Sequence, residues 1–282
     1  MLSYRHAFHA GNHADILKHF VLTHCLEYMG RKDKPFLFVD THAGAGIYRL
    51  DQGYADQNKE WASGIGALRE IPRDAVPSTM AYYFSAVDDI VQSEDGVCYP
   101  GSPLFAQRFL REQDRAVLFE LHPTDFRILE ARLKDDPRIQ VRQADGLSAL
   151  ASLLPPASRR ACVFIDPSYE MKEDYYRVPK ILDLALKRFS QGVYILWYPL
   201  LPQPEPQTMA DRIFALHKGN RCCAQIRIRE KDTEEYGMYG SGMIILNPPW
   251  ILKQALEESL PFLAQAVGKR GSSWTLQWDN LE

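Results

Sequence analysis

Four acidic residues each close a short apolar run: Asp40 after Phe36-Leu-Phe-Val, Glu120 after Ala116-Val-Leu-Phe, Asp145 after Ile139-Gln-Val-Arg-Gln-Ala, and Asp166 after Ala161-Cys-Val-Phe-Ile. If these runs are parallel strands, their carboxyl ends share one edge of a sheet and face a ligand crevice. One such acid could be no more than a helix N-cap. Four in register point to a common site, and carboxylates there suit hydroxyls and cationic groups but not a pyrophosphate. Asp40 is followed by Thr-His42-Ala-Gly44-Ala-Gly46, whose glycines let a ligand approach the backbone closely. A dinucleotide fingerprint would require a third glycine at position 49, where Arg49 stands.

Asp166 continues into Pro167-Ser168-Tyr169, which resembles the DPPY-type motif of amino-methyltransferases acting on adenine N6, with Ser168 where a second proline is usual. An exocyclic amine conjugated with its ring is a poor nucleophile. Hydrogen bonds from its N–H groups to a carboxylate and a backbone carbonyl favour a more sp³-like nitrogen. Its lone pair can then attack a sulfonium methyl in line, helped mainly by positioning and electrostatics. Tyr169 would stack on a base taken out of its helix or supplied unpaired. Asp40-x-x-x-Gly44-x-Gly46 is similar to the glycine motif of class I S-adenosylmethionine-dependent methyltransferases, in which an acid closing the second strand holds the ribose hydroxyls. That cofactor carries an ammonium and a sulfonium and no phosphate, in keeping with an acidic crevice. A second candidate, Asn247-Pro-Pro-Trp250, matches the NPPW form of the motif but has no glycine motif suitably upstream, and ranks below Asp166.

The elements that must carry these residues follow from periodicity. Ile16, Leu17, Phe20, Val21, Leu22 and Leu26 recur at helical spacing behind Asn12 as N-cap, with Asp15 at N3 and Gly30 as terminator. The runs at 36–40, 116–120, 139–145, 161–166 and 192–198 read as strands alternating with helices, including one from Tyr175 to Phe189. That alternation predicts a parallel α/β sheet. Runs at 224–229 and 243–246 lack a helix between them and are expected to pair antiparallel at the sheet edge. A helix over about 250–267 and a short strand at 274–278 complete the chain. Between the glycine turn and Glu120 lie far more residues than the roughly thirty of a simple βαβ unit. Helical patterns over 57–70 and 79–91 mark 52–98 as a helical insertion subdomain above the carboxyl edge, in a methyltransferase domain formed by 1–51 and 99–282.

The N-terminal block Tyr4-Arg-His6-Ala-Phe-His9-Ala-Gly-Asn12-His13-Ala-Asp15-Ile-Leu-Lys18-His19 is the most distinctive segment. Together with Asp40-Thr-His42-Ala-Gly-Ala-Gly46, Tyr99-Pro-Gly-Ser102-Pro, Glu120-Leu-His122-Pro and Asp145-Gly146, it closely resembles the RlmJ family of 23S ribosomal RNA adenine-N6 methyltransferases, essentially end to end. The resemblance implies a Rossmann-like class I methyltransferase fold, S-adenosylmethionine as cofactor and Asp166 as the catalytic acceptor beside Pro167 and Tyr169. It implies a cofactor site of His19, His42, Gly44, Ser102, Glu120, Asp145 and Gly146, and contact of Tyr4 with the RNA. His6 and Lys18, in the same block, are further substrate-binding candidates. The family is also described as involved in using external DNA as a nutrient, so a DNA-directed adenine methyltransferase or a nucleic-acid-binding protein is the alternative. No target-recognition domain for duplex DNA is apparent, and a binding-only protein would not need Asp166 and Tyr169 beside a complete cofactor pocket.

Composition narrows the partners. The 282-residue chain carries 33 basic and 36 acidic residues, a net charge of -3, so it is no polycation that coats nucleic acid. RNA affinity is expected from a few local contacts, chiefly around Tyr4–His19 and the insertion. Five cysteines without CxxC spacing argue against a disulfide framework or zinc ribbon and for a reducing cytosol. With neither a signal-peptide-like start nor an apolar run long enough to span a bilayer, a cytoplasmic protein with no membrane partner is expected. The family reading adds a monomer that acts on 23S ribosomal RNA before full ribosome assembly. His6, His9, His13 and His19 invite a metal, but their spacing crosses from loop to helix, and no metal is expected. Arg221, Arg227, Arg229 and Lys231 read as a solvated strand face in preference to a phosphate track, and Cys222-Cys223 as strand filler.

Overall fold

The computed structural model describes residues 6–231 and 237–280. Asn12 caps helix α1 (His13–Gly30) by accepting from the N–H groups of Ala14 and Asp15. Gly30 ends the helix as expected, and the following Arg31 stays right-handed. There follow β1 (Leu37–Asp40), β2 (Ile47–Arg49), α2 (Gly53–Asn58), α3 (Ile65–Arg69), α4 (Ala81–Val91), β3 (Cys98–Pro100) and α5 (Ser102–Phe109). Next come β4 (Arg115–Phe119), α6 (Pro123–Leu133), β5 (Ile139–Arg142), α7 (Gly146–Leu150), β6 (Ala161–Ile165) and α8 (Asp174–Arg188). The chain ends with β7 (Val193–Leu200), α9 (Glu205–Leu216), β8 (Arg221–Arg227), β9 (Gly240–Leu246), α10 (Ile251–Val267) and β10 (Ser273–Asp279).

Eight strands form one sheet in the order β10-β8-β9-β7-β6-β1-β4-β5. Strands β5, β4, β1, β6 and β7 are mutually parallel, whereas β7–β9, β9–β8 and β8–β10 are antiparallel. From β1 the chain builds outward to β4 and β5, then returns to add β6 and β7 on the other side. The switch point therefore lies between β1 and β6, where an open α/β sheet places its ligand. This is the Rossmann-like arrangement of class I methyltransferases. Residues 161–165 and 193–200 are buried throughout, as both-faces-covered parallel strands require. The two late runs do pair antiparallel, but β9 inserts between β7 and β8, and β10 takes the edge. Helix α9 escapes the sequence pattern because Pro202, Pro204 and Pro206 read as loop, yet proline is tolerated in the first helical turn.

Helix α1 is buried almost all round, including its polar Asp15, Lys18 and His19. A helix in that position needs cover on every side. It packs on β6, β7 and β9 with one face and against α4, α5 and α10 with the others. The insertion thus supplies an outer layer for α1. Its first helical stretch, expected as one helix over 57–70, is broken at Lys59, which is left-handed, and again at Gly64. The break lets the Ile65 N–H reach the Gly11 carbonyl at 2.9 Å, tying the insertion to the N-terminal block. The short ribbon β2–β3 closes its base. Among the described residues no helix is long and apolar enough to cross a membrane.

Candidate active site

A crevice of about 390 Å³ opens at the carboxyl ends of β1, β4, β5 and β6. It brings together His6, His19, His42, Gly44, Ser102, Glu120, Asp145, Gly146, Asp166 and Pro167 from the sequence reading. No residue of 52–98 lines it. Tyr4 lies outside the described residues. Lys18 and Tyr169 line a second, smaller cavity of about 190 Å³ that shares His6 and Ser168 with the crevice.

The glycine turn forms the crevice floor. Gly44 has φ +65°, and Glu120 locks the turn by accepting from the Gly44 N–H at 2.7 Å and the His122 N–H at 2.6 Å. Burial raises the Glu120 carboxyl from its ordinary value, and those two N–H groups pull it only partly back. Each of its oxygens keeps a second lone pair, which could accept a ligand hydroxyl. Beside it the Nδ1 atom of His122, on the crevice wall, is buried with no hydrogen-bond partner among the described residues, the Asp125 carboxylate lying 3.9 Å away. Gly146 is packed so tightly on Thr41 that a Cβ would come within 2.4 Å of its carbonyl oxygen. Asp145 caps α7 through the Ser148 N–H and pairs with Arg177. Burial raises its carboxyl, but these partners outweigh it and hold Asp145 below the usual range.

Only three of the four strand-end acids reach the ligand space. Asp40 lies wholly buried beneath the turn, accepting from the Ser102 hydroxyl at 2.6 Å and the His42 N–H at 3.1 Å. Burial, only partly countered by those two donors, pushes its pKa up to about 7. Folded Asp40 therefore holds a proton between its unfolded value of 3.8 and about 7, and stability falls as pH rises through that window. At about 1.4 kcal/mol per pKa unit, the full change is on the order of 4 kcal/mol. Asp40→Asn, which can still accept from His42, is expected to abolish that slope. Urea midpoints of the two proteins at pH 5 and pH 8 check this, and parallel behaviour would refute it.

Two of the histidines on the crevice wall, His42 and His19, are held neutral. Burial lowers His42 to about 4 and His19 to about 3. The Thr41 hydroxyl donates to the Phe164 carbonyl, so it accepts from His42 Nδ1–H at 2.8 Å and leaves Nε2 as an acceptor. His19 Nδ1 meets the Tyr99 hydroxyl at 2.9 Å.

Between the two cavities runs a chain of buried charges. Lys18 Nζ lies 2.8 Å from Asp166 Oδ2, 3.1 Å from Asp15 Oδ1 and 4.7 Å from the centre of the Trp197 ring. Asp15 Oδ2 in turn holds His6 Nε2 at 3.0 Å and the Gly11 N–H at 2.9 Å. Burial opposes both charges, but mutual attraction wins: Asp15 sits well below the usual carboxylate range and Lys18 above the usual lysine value. The smaller cavity is walled by Tyr169, Tyr175, Trp197, Pro199 and Leu201, an apolar slot suited to a flat ring. Tyr169 is left-handed at φ +54°, stacks on Tyr175 at 4.8 Å and donates its hydroxyl to the Trp197 carbonyl. Trp197, on the slot wall, has its Nε1–H buried without a hydrogen-bond partner among the described residues.

Asp15, Tyr175 and Trp197 escape the sequence reading as site residues. Asp15 looks like a first-turn acid, and Trp197 like filler in an apolar strand. The NPPW candidate is not beside the crevice: the Asn247 carboxamide is consumed by the Ser190 and Gly192 carbonyls and by His217. The N-terminal histidines diverge, His6 to Asp15, His9 to Glu60 and His19 to Tyr99. Arg221 is spent on Asp279 and on the Phe214 and His217 carbonyls.

Residues 33–280 match the family described as "Ribosomal RNA large subunit methyltransferase D, RlmJ". The chain is 42% identical over 280 residues to ribosomal RNA large subunit methyltransferase J of Escherichia coli K12, covering 99% of each chain. It is 40% identical over 281 residues to the protein of the same name from Haemophilus influenzae Rd, again covering 99% of each. A solved protein of Legionella pneumophila str. Philadelphia 1 superposes with a TM-score of 0.87 at 34% identity, over 95% of this chain and 98% of that one.

Proposed function

Because the chain belongs to this RlmJ family of ribosomal RNA large subunit methyltransferases, we propose that it methylates the N6 amine of one adenine in 23S ribosomal RNA. It is an S-adenosylmethionine-dependent ribosomal RNA methyltransferase. The crevice suits that cofactor by its donor set. Glu120 can take hydroxyls, and the neutral His42 and the carboxylates suit a cationic ligand. Gly44 and Gly146 shape the floor. When bound, S-adenosylmethionine supplies an electrophilic methyl on a positively charged sulfur.

The observation that carries the reading is the place of Asp166, at the junction of the acidic crevice and the aromatic slot. The slot receives the flat base, and Trp197 Nε1–H offers it a donor. Asp166 accepts an N–H of the exocyclic amine, held in position through Lys18 and Asp15, so that the nitrogen lone pair is directed across the junction. Exclusion of water by Tyr169, Tyr175 and Trp197 strengthens each of these polar contacts. Substrate contact by Tyr4, His6 and Lys18, the role of 52–98 as an insertion within a domain of 1–51 and 99–282, a monomeric state and cytoplasmic action on RNA before ribosome assembly complete the proposal. The test is transfer of labelled methyl to protein-free 23S ribosomal RNA lacking the modification, with digestion to nucleosides. Label in N6-methyladenosine is expected; no label, label on another nucleoside, or preference for DNA would overturn the reading.

A further inference from the structure

The NPPW segment, set aside as a catalytic motif, shapes a second surface. At the opposite pole of the sheet, where β1, β6 and β7 begin, lies an open groove of about 600 Å³. Asn247 clamps the turn, with φ +56°, and so delivers Trp250 to the groove, where the residue is 71% exposed. An aromatic side chain so exposed, set in a cationic groove, offers its flat face to a stacking partner. Around it stand Lys32, Lys34, Arg159 and Lys253, all exposed, with Trp278 on the far wall. Arg160 adds a fifth cation, bound to backbone carbonyls, and no Asp or Glu lines the groove. In a chain of net charge -3, that segregation marks a place built for an anion. Lys32, Lys34 and Arg159 make no ion pair among the described residues, and Lys253 reaches Glu257 only at 4.0 Å.

We propose that this groove is a second RNA-binding surface, taking a single-stranded segment of ribosomal RNA with an unpaired base stacked on Trp250 and its phosphates along Lys32, Lys34, Arg159 and Lys253. The chemistry is that of a stacking platform in a cationic track, which is tolerant of sequence. The assignment rests on the ribosomal RNA reading of the crevice and adds a remote anchor to it. The two sites lie at opposite ends of the parallel strands, so an RNA must extend well beyond its target adenine to use both. A short target fragment therefore engages the crevice alone, and a long one engages both.

The full-length protein, Trp250→Ala and the double variant Lys32→Glu/Lys253→Glu are to be compared by fluorescence anisotropy on a long ribosomal RNA fragment and a short target fragment over a range of salt. Each variant is expected to lose about tenfold in affinity for the long fragment. The double variant is expected to lower the salt slope by about two, one for each phosphate contact removed. Affinity and methyl transfer on the short fragment stay unchanged in both. Unchanged affinity for the long fragment would overturn the proposal and leave the groove to a protein partner. Equal losses on both fragments, or tighter binding of single-stranded DNA of the same sequence, would also overturn it. If wild type transfers no methyl to any RNA while the long-fragment difference persists, the function assignment falls and the groove stands.

Discussion

Asp166→Ala is expected to lower the rate of methyl transfer by about a hundred- to a thousandfold, the usual cost of removing one preorganised polar group aimed at the reacting atom. Cofactor affinity should change far less, because Glu120, His42 and Gly44 are held by a separate set of bonds. The loss should appear in single-turnover rate more than in KM, since Asp166 acts on the amine as its lone pair is directed to the methyl. The fold should survive: Lys18, only 4% exposed, loses one carboxylate but keeps Asp15 at 3.1 Å. Rapid-quench measurement with labelled cofactor, beside a cofactor-induced thermal shift, separates the two effects. Equal single-turnover rates in wild type and variant would remove Asp166 from the chemistry.

The second large effect falls on stability. Asp15→Ala removes one of the two carboxylates that Lys18 meets among the described residues, together with the acceptor of His6 Nε2 and of the Gly11 N–H, at a site where Asp15 and Lys18 are buried. Breaking a buried pair by removing one member costs about 3–5 kcal/mol. At roughly 2–4 °C per kcal/mol for a domain near this size, the midpoint should drop by about 10 °C. The pH dependence has a definite sign. Folded Asp15 titrates well below its unfolded value of 3.8, so its contribution is complete above that value and is lost as pH falls through the folded one. Lys18, raised above 10.5, contributes below that value and loses its contribution as pH rises through the folded one. The gap between wild type and variant should therefore persist from pH 5 to 8 and shrink in strong acid. A constant gap down to pH 2, or none at neutrality, would show that the pair does not hold the N-terminal block.

The parallel half of the fold is legible because each buried strand is a continuous apolar run ending in an acid, a signal with few other meanings. The crevice floor is equally legible, since the turn after β1 and the acid after the neighbouring strand β4 meet at the carboxyl edge whatever the helices do. Helix α9 is hidden by three prolines at its start, and the break at Lys59 and Gly64 is set by contact with Gly11, a tertiary demand that local pattern does not carry. Asp40 reads like its three sister acids, yet its register drops it under the turn, where depth and not identity decides its role. The aromatic slot is the least legible part, because Tyr175, Trp197 and Pro199 come from α8 and β7 and become neighbours only through the sheet.

Successive residues of an α-helix point about 100° apart, and on α1 this sends His19 into the acidic crevice and Lys18 into the aromatic slot. The helix is thus a party wall between two compartments, braced from behind by the insertion. Because one buried helix supplies a wall residue to each chamber, its placement fixes the shape of both at once.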